Sequence, residues 1–138
     1  ASDWSSDVCS SDLKPLLVQW VQAHQKELSR HQLSATGTTG SRVREAIGLD
    51  VHCFRSGPLG GDLQIASRVI EGEIDLIIFF WDPLEAQPHD VDVKALLRTA
   101  VLYNIPVATN PASADFFLTS SLMRKPYVAA PDPRVRRS

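Results

Sequence analysis

Apolar residues in this chain fall into two patterns that alternate: short continuous runs, and longer stretches with apolar positions three and four apart. The most continuous run, Leu76-Ile77-Ile78-Phe79-Phe80, predicts with Asp75 a strand over 75–80 that is covered on both faces. Shorter strand candidates are Gln32-Leu33-Ser34-Ala35, Val51-His52-Cys53-Phe54 and Ile105-Pro106-Val107-Ala108, where the proline marks the strand's start or a sheet edge. Between them lie helical spacings. Pro15 opens one, and Leu17, Trp20, Val21, His24 and Leu28 form its apolar stripe, with His24 read as a packed structural residue. Ser41 to Ile47 is a second helix, stopped by Gly48. A third places Ile65, Ala66, Val69 and Ile70 on one face, with Asp62 able to cap it and Gly72 to end it. A fourth runs from Val91 to Tyr103 behind Asp90, and a last one, opened by Asn110 or Ser113, includes Phe116, Phe117 and Leu118. Strands alternating with helices predict a doubly wound α/β domain with a parallel sheet and right-handed crossovers. Four strands are visible, but the chain leads with a helix, so the pattern predicts that a first strand is missing or replaced.

The two ends depart from this pattern. Residues 1–13 hold five serines, three aspartates and no basic residue, and Ser-Ser-Asp recurs at 5–7 and 10–12. We read them as a segment foreign to the domain: a disordered polar tail, or a stretch that looks like a translated sequencing-library adapter joined to a truncated gene. The α/β domain then spans 14–121. Residues 122–138 form a basic tail with Arg124, Lys125, Arg134, Arg136 and Arg137 interrupted by Pro126, Pro131 and Pro133. It reads either as a solvated tail or as an arm that carries an arginine to a neighbouring subunit.

Composition adds mostly exclusions. With 138 residues, 43% of them hydrophobic, the chain is sized for one domain with a real core. A net charge of −2 gives no global reason to expect nucleic acid or a membrane surface, and no apolar run is long enough to span a bilayer. No signal peptide is visible, and Cys9 and Cys53 make neither a disulfide framework nor a metal pattern, so a cytoplasmic setting is expected.

Candidate chemistry gathers in loops that follow strands. Thr36-Gly37-Thr38-Thr39-Gly40 offers backbone N–H groups, hydroxyls and a positive helix end, which suits a phosphate, although Thr and Gly also make ordinary caps. It lacks both the P-loop and the Gly-x-Gly-x-x-Gly patterns. Ser56-Gly57-Pro58-Leu59-Gly60-Gly61-Asp62 brings backbone close to something and ends on a carboxylate, either a cap worth about 1 kcal/mol or a desolvated base. The loop Trp81 to Asp90 carries Asp82, His89 and Asp90, with Asp92 just beyond. These could ligate a metal or move protons. Because His24, His31 and His52 have no ligand-like partner nearby, proton chemistry at His89 is preferred.

Taken together, Ala35-Thr36-Gly37-Thr38-Thr39-Gly40, Ser56 to Asp62, Phe79-Phe80-Trp81-Asp82-Pro83, Pro88-His89-Asp90-Val91-Asp92-Val93-Lys94-Ala95-Leu96 and Ile105-Pro106-Val107-Ala108-Thr109-Asn110 closely resemble methylglyoxal synthase from about Lys14 to Phe117. The resemblance implies a Rossmann-like, three-layer αβα domain, usually a homohexamer. It implies conversion of dihydroxyacetone phosphate to methylglyoxal and inorganic phosphate with no cofactor and no metal, phosphate being the product and a candidate regulator. By the same resemblance Asp62 is the general base and His89 polarises the carbonyl and shuttles protons. Thr36, Gly37, Thr38 and Thr39, joined by Ser56 and Gly57, hold the phosphate, while Asp82 and Asp92 orient the site. Two departures stand out. The family opens with a strand ending in an Ala-His-Asp-like motif followed by a lysine; here the serine-rich stretch stands in its place, and Lys14 is left unassigned. The family's C-terminal arginine has no assigned counterpart among Arg134, Arg136 and Arg137. An unfilled strand position would leave buried backbone groups unpaired at about 1–3 kcal/mol each, so low stability and weak turnover are expected.

Two other functions fit parts of the pattern. A regulatory phosphate-ligand domain of the same fold needs the cradle but not Asp62 and His89 as a pair, and a metal-dependent hydrolase would use His89 with the carboxylates.

Overall fold

The computed structural model describes residues 6–11, 14–85, 90–125, 127 and 129–137, with backbone alone for 6–11 and 136–137. Five parallel strands, β1 (Ser6–Ser11), β2 (Gln32–Thr36), β3 (Val51–Phe54), β4 (Leu76–Phe80) and β5 (Val107–Ala108), form one sheet in the order β3-β2-β1-β4-β5. The helices are α1 (Lys14–Ala23), α2 (Gln25–Leu28), α3 (Gly37–Ile47), α4 (Gly61–Ile70), α5 (Asp90–Leu102) and α6 (Pro111–Thr119).

Strand β4 shows why the sheet is covered on both faces. All of its residues are buried, and they alternate between two separate cores. Leu76, Ile78 and Phe80 join Leu17, Trp20 and Val21 of α1, Val43 and Ile47 of α3 and Ala114 and Leu118 of α6. Ile77 and Phe79 join Ile65, Ala66 and Val69 of α4 and Val93, Leu96 and Ala100 of α5. A run that is apolar at every position is what such a strand requires, because each face meets a helical layer. The parallel sheet expected from the alternating pattern and the three-layer αβα arrangement implied by the resemblance are therefore observed.

The largest correction concerns the N-terminal segment. Ser6–Ser11, expected within a disordered or foreign tail, forms the central strand, paired in parallel with β2 (Asp7↔Leu33, Cys9↔Ala35) and with β4 (Asp7↔Leu76, Ser11↔Phe80). The position of the first strand is thus filled by a sequence of low β-propensity, which overturns the disordered reading for Ser6–Ser11. The physical reason is that a parallel ladder needs only backbone N–H and C=O groups, and here both neighbours supply them. The unpaired groups anticipated for an empty slot are accordingly satisfied.

Smaller differences have similar local causes. The first helical stripe breaks at His24, whose φ of −114° and ψ of 21° separate α1 from α2. Helix α3 begins at Gly37 rather than Ser41, which places Thr38 and Thr39 in its first turn. Strand β5 is limited to Val107–Ala108, because the Pro106 carbonyl accepts from the Ile77 N–H at 3.0 Å while its ring nitrogen has no hydrogen to give. Gly48 closes α3 in the left-handed region at φ 67°, its N–H on the Arg44 carbonyl at 2.9 Å. Asn110 caps α6, its Oδ1 accepting from the Ser113 N–H at 2.9 Å. The C-terminal stretch contains 3₁₀ turns at Ser121–Arg124 and Pro133–Arg137 and is tied back to the turn after α5: Asp132 N–H donates to Leu102 O at 2.9 Å and Asn104 Nδ2 to Ala130 O at 3.0 Å.

Candidate active site

Strand order alone selects one edge of the sheet. Connections run outward from β1 through β2 to β3 and then return to the other side through β4 and β5, so the direction reverses between β1 and β4. Ligands in open α/β sheets sit outside the carboxyl ends of the strands at such a reversal. The register puts Phe54 beside Thr36, Ser11 beside Phe80 and Ala108 beside Ile78, so the loops after these strands leave from a common edge.

On one side of this edge lies the β2–α3 junction, the candidate cradle. Thr36 ends β2, buried, and serves as the N-cap of α3 without a side-chain capping bond. The first-turn N–H groups of α3 have no earlier helical carbonyls to bond, and the helix dipole adds positive potential there. Thr38 is exposed, whereas Thr39 is 1% exposed and its Oγ1 has no hydrogen-bond partner among the described residues. A buried hydroxyl in that condition costs roughly 1–3 kcal/mol unless something else bonds to it. Gly37 is pressed against the β3–α4 loop: a Cβ on it would stand 3.2 Å from Phe54 O and 3.3 Å from Ser56 N. Glycine here lets the two candidate phosphate loops touch.

The β3–α4 loop is folded on itself. Ser56 O accepts from the N–H groups of Leu59 and Gly61, both at 3.0 Å, around a 3₁₀ turn at Gly57–Leu59. Gly60 turns the chain at φ 99°, and Gly61 lies so close to the Arg55 carbonyl that a side chain would overlap it. This turn delivers Asp62 to the second position of α4, fully buried. Asp62 is therefore not the cap of its helix. The N-cap is Gly60, and no side chain caps there. The helix end still favours a carboxylate in its first turn, which offsets part of the cost of taking it out of water.

On the other side, the β4–α5 loop begins at exposed Trp81 and half-buried Asp82. Asp82 Oδ1 accepts from the Leu84 N–H at 3.0 Å, shaping the start of the loop. The Trp81 N–H reaches the Thr109 carbonyl at 3.4 Å and so joins this loop to the one after β5. Asp90 and Asp92, both partly buried, occupy the first turn of α5. His89 lies outside the described residues. Among the described residues, no group of three or more His, Cys, Asp or Glu side chains is placed to hold a metal ion. Lys14 is the first residue of α1, directly after the β1 connection. His24 is structural, as expected: its ring lies 4.7 Å from that of Trp20, and its Nε2 is 3.1 Å from Asp115 Oδ1.

Sequence reasoning missed several supports of the site. The Gln64 Oε1 that accepts the Arg55 N–H at 2.8 Å, the Trp81–Thr109 link and the Trp20–Asp115 pair all join residues whose proximity only the fold creates.

The fold is an α/β domain of the MGS-like class, and the family model for the MGS-like domain matches residues 16–109. Methylglyoxal synthase of Leptospira interrogans (serogroup Icterohaemorrhagiae serovar copenhageni) is 53% identical over 120 residues, covering 87% of this chain and 81% of the relative. The enzyme of Saccharophagus degradans is 55% identical over 120 residues, covering 87% and 78%. The crystal structure of methylglyoxal synthase from Elizabethkingia anophelis NUHP1 superposes with a TM-score of 0.88 at 47% identity, covering 94% of this chain and 88% of that one. The chain belongs to the methylglyoxal synthase family.

Proposed function

We propose that this chain is a carbon–oxygen lyase that converts dihydroxyacetone phosphate to methylglyoxal and inorganic phosphate. Family membership supports the reaction, and the observation that carries the residue assignment is Asp62. It is a fully buried carboxylate that does not cap its helix, at the end of a loop folded against the Gly37 cradle. A carboxylate withdrawn from water is a stronger base than an exposed one, and catalysis requires it beside the carbon that loses the proton.

In this reading Asp62 takes a proton from the hydroxymethyl carbon of the substrate. The electron pair moves into an enediolate, whose oxygens His89 stabilises and protonates as required. The enediolate then breaks the carbon–oxygen bond to phosphate, and the enol left behind gains a proton on its terminal carbon to give methylglyoxal. Thr36, Gly37, Thr38 and Thr39, with Ser56 and Gly57, grip the phosphate throughout, and Asp82 and Asp92 orient the loop that carries His89. A firm hold on the leaving group and exclusion of water favour elimination at the enzyme over side reactions. All of these steps are proton transfers and one bond cleavage, and none of them calls on a cofactor.

The same reading includes assembly as a homohexamer, inorganic phosphate as product and regulator, and action in the cytoplasm. Exposed Leu84, Val91, Val101 and Phe116 offer apolar surface that subunit contacts would cover. No helix among the described residues is long and apolar enough to cross a membrane. The regulatory-domain alternative finds no support among the relatives described above, all of them methylglyoxal synthases.

The test is incubation with dihydroxyacetone phosphate, with and without a chelator, following methylglyoxal and phosphate together. Equimolar products, indifference to chelator and loss of turnover in Asp62→Asn are expected. Ligand binding without turnover would favour the regulatory domain instead, and loss of turnover on chelation would favour a metal hydrolase.

A further inference from the structure

The half of the site that follows β4 and β5 is held thinly. Among the described residues strand β5 makes only the pairs Ile77↔Val107 and Ile78↔Ala108, and α6 contributes Ala114 and Leu118 as its buried residues. Across this edge, two ring nitrogens, of Trp20 in α1 and of His24 between α1 and α2, approach one oxygen of α6. Trp20 Nε1 donates to Asp115 Oδ1 at 2.8 Å, and His24 Nε2 lies 3.1 Å from the same atom. The Trp20 ring is 6% exposed and stands edge-on to Phe80, with centroids 5.9 Å apart. Phe80 is the last residue of β4, and the next amide, Trp81 N–H, reaches Thr109 O just ahead of the Asn110 cap of α6. Two supports thus meet at Phe80–Trp81: a direct one through the indole ring, and one through Asp115, α6 and Thr109.

We propose that Asp115 is a positioning residue for the reaction, fixing through Trp20 and α6 the point where the loop that begins with Trp81 and Asp82 leaves the sheet. The proposal rests on the lyase reading for its effect on turnover, but not for its effect on structure. The phosphate cradle lies on the β2–β3 side and is held by its own contacts around Gly37 and Ser56. Loss of Asp115 should therefore separate chemistry from binding. A misplacement of an ångström or less in catalytic groups lowers kcat, while a grip on phosphate made elsewhere leaves affinity alone.

The experiment compares wild type with Asp115→Ala, Asp115→Asn and Trp20→Phe by amide hydrogen exchange, kinetics with dihydroxyacetone phosphate, and binding of inorganic phosphate. In Asp115→Ala, exchange in segments 76–85 and 105–113 should quicken while segment 32–43 is unchanged. The kcat should fall about tenfold with KM and phosphate affinity within about twofold. Asp115→Asn keeps an oxygen for the indole N–H and should recover most of both effects. Should Asp115→Ala not fold, Trp20→Phe, which keeps a ring against Phe80 but removes the donor, decides by the same measures. Exchange and kcat both unchanged, or exchange quickened uniformly across all segments, would overturn the proposal. Absence of turnover in wild type would instead count against the lyase reading, and the exchange pattern would still decide the role of Asp115.

Discussion

Gly37 and Ser56 are in contact across two loops: a Cβ on Gly37 would lie 3.3 Å from the Ser56 nitrogen and 3.2 Å from the Phe54 carbonyl oxygen. Both obstructing atoms are backbone, so neither can rotate away. Gly37→Ala must therefore push the β3–α4 loop outward by a few tenths of an ångström, and with it the route to Asp62. We expect the variant to fold with a loss of about 1–2 kcal/mol and a KM raised more than kcat is lowered. Gly61→Ala is harsher, because its methyl would overlap the Arg55 carbonyl, and it should express poorly or melt several degrees lower. Thermal melts and Michaelis kinetics on the two variants distinguish these outcomes.

Asp62→Asn has a different signature. The substitution is nearly isosteric and removes a charge from a fully buried position. If the carboxylate is kept for chemistry rather than stability, turnover should fall by about a hundred- to ten-thousandfold while the melting temperature holds or rises. A large loss of stability with the loss of activity would instead identify Asp62 as a structural residue.

The β1 strand supports a prediction about stability alone. Asp7 pairs in register with Leu33 and Leu76, which are 7% and 3% exposed, in a sheet whose neighbouring strands are apolar at the matching positions. Aspartate is among the residues least suited to a strand and valine among the best. Asp7→Val should therefore raise stability by about 1 kcal/mol without changing KM, as read from denaturant midpoints at constant slope.

That strand also marks the limit of what the sequence discloses. The run from Leu76 to Phe80 was legible because two helical layers demand an apolar residue at every position, and Gly48 and, as one of two candidates, Asn110 were legible because helix ends have few solutions. Ser6–Ser11 was not, because its pairing comes from two strands that lie more than twenty and sixty residues onward in the chain, and nothing local encodes it. The same holds for the site. The sequence pointed to the cradle and to Asp62, but read the latter equally well as a cap. Only the folded loop, which gives the N-cap to Gly60, removes that alternative. The Trp20–Asp115 pair, 95 residues apart, had no sequence signal beyond an apolar stripe that happens to include a tryptophan.

The C-terminal stretch yields a prediction with a defined pH window. Arg134 grips Asp132 with two side-chain bonds, Nε to Oδ1 at 2.9 Å and Nη2 to Oδ2 at 2.7 Å, and its backbone N–H adds a third at 2.9 Å. The guanidinium hydrogen bonds, then the backbone one, hold the Asp132 carboxyl down to about 2 from an ordinary 3.8. Because the folded-state value is depressed, the pair's contribution is complete above the unfolded carboxylate range, near 3.9, and fades as pH falls through about 2. The pair is exposed, so its loss should leave global stability almost unchanged and act locally. Arg134→Ala should return the Asp132 titration toward 3.8 in a carboxyl NMR titration. It should also speed amide exchange at Asp132, whose N–H bonds to Leu102 O at 2.9 Å, since the cap that fixes this turn is gone. An Asp132 titration that stays near 2 in Arg134→Ala would show that other groups, not the guanidinium, hold the carboxylate in its charged form.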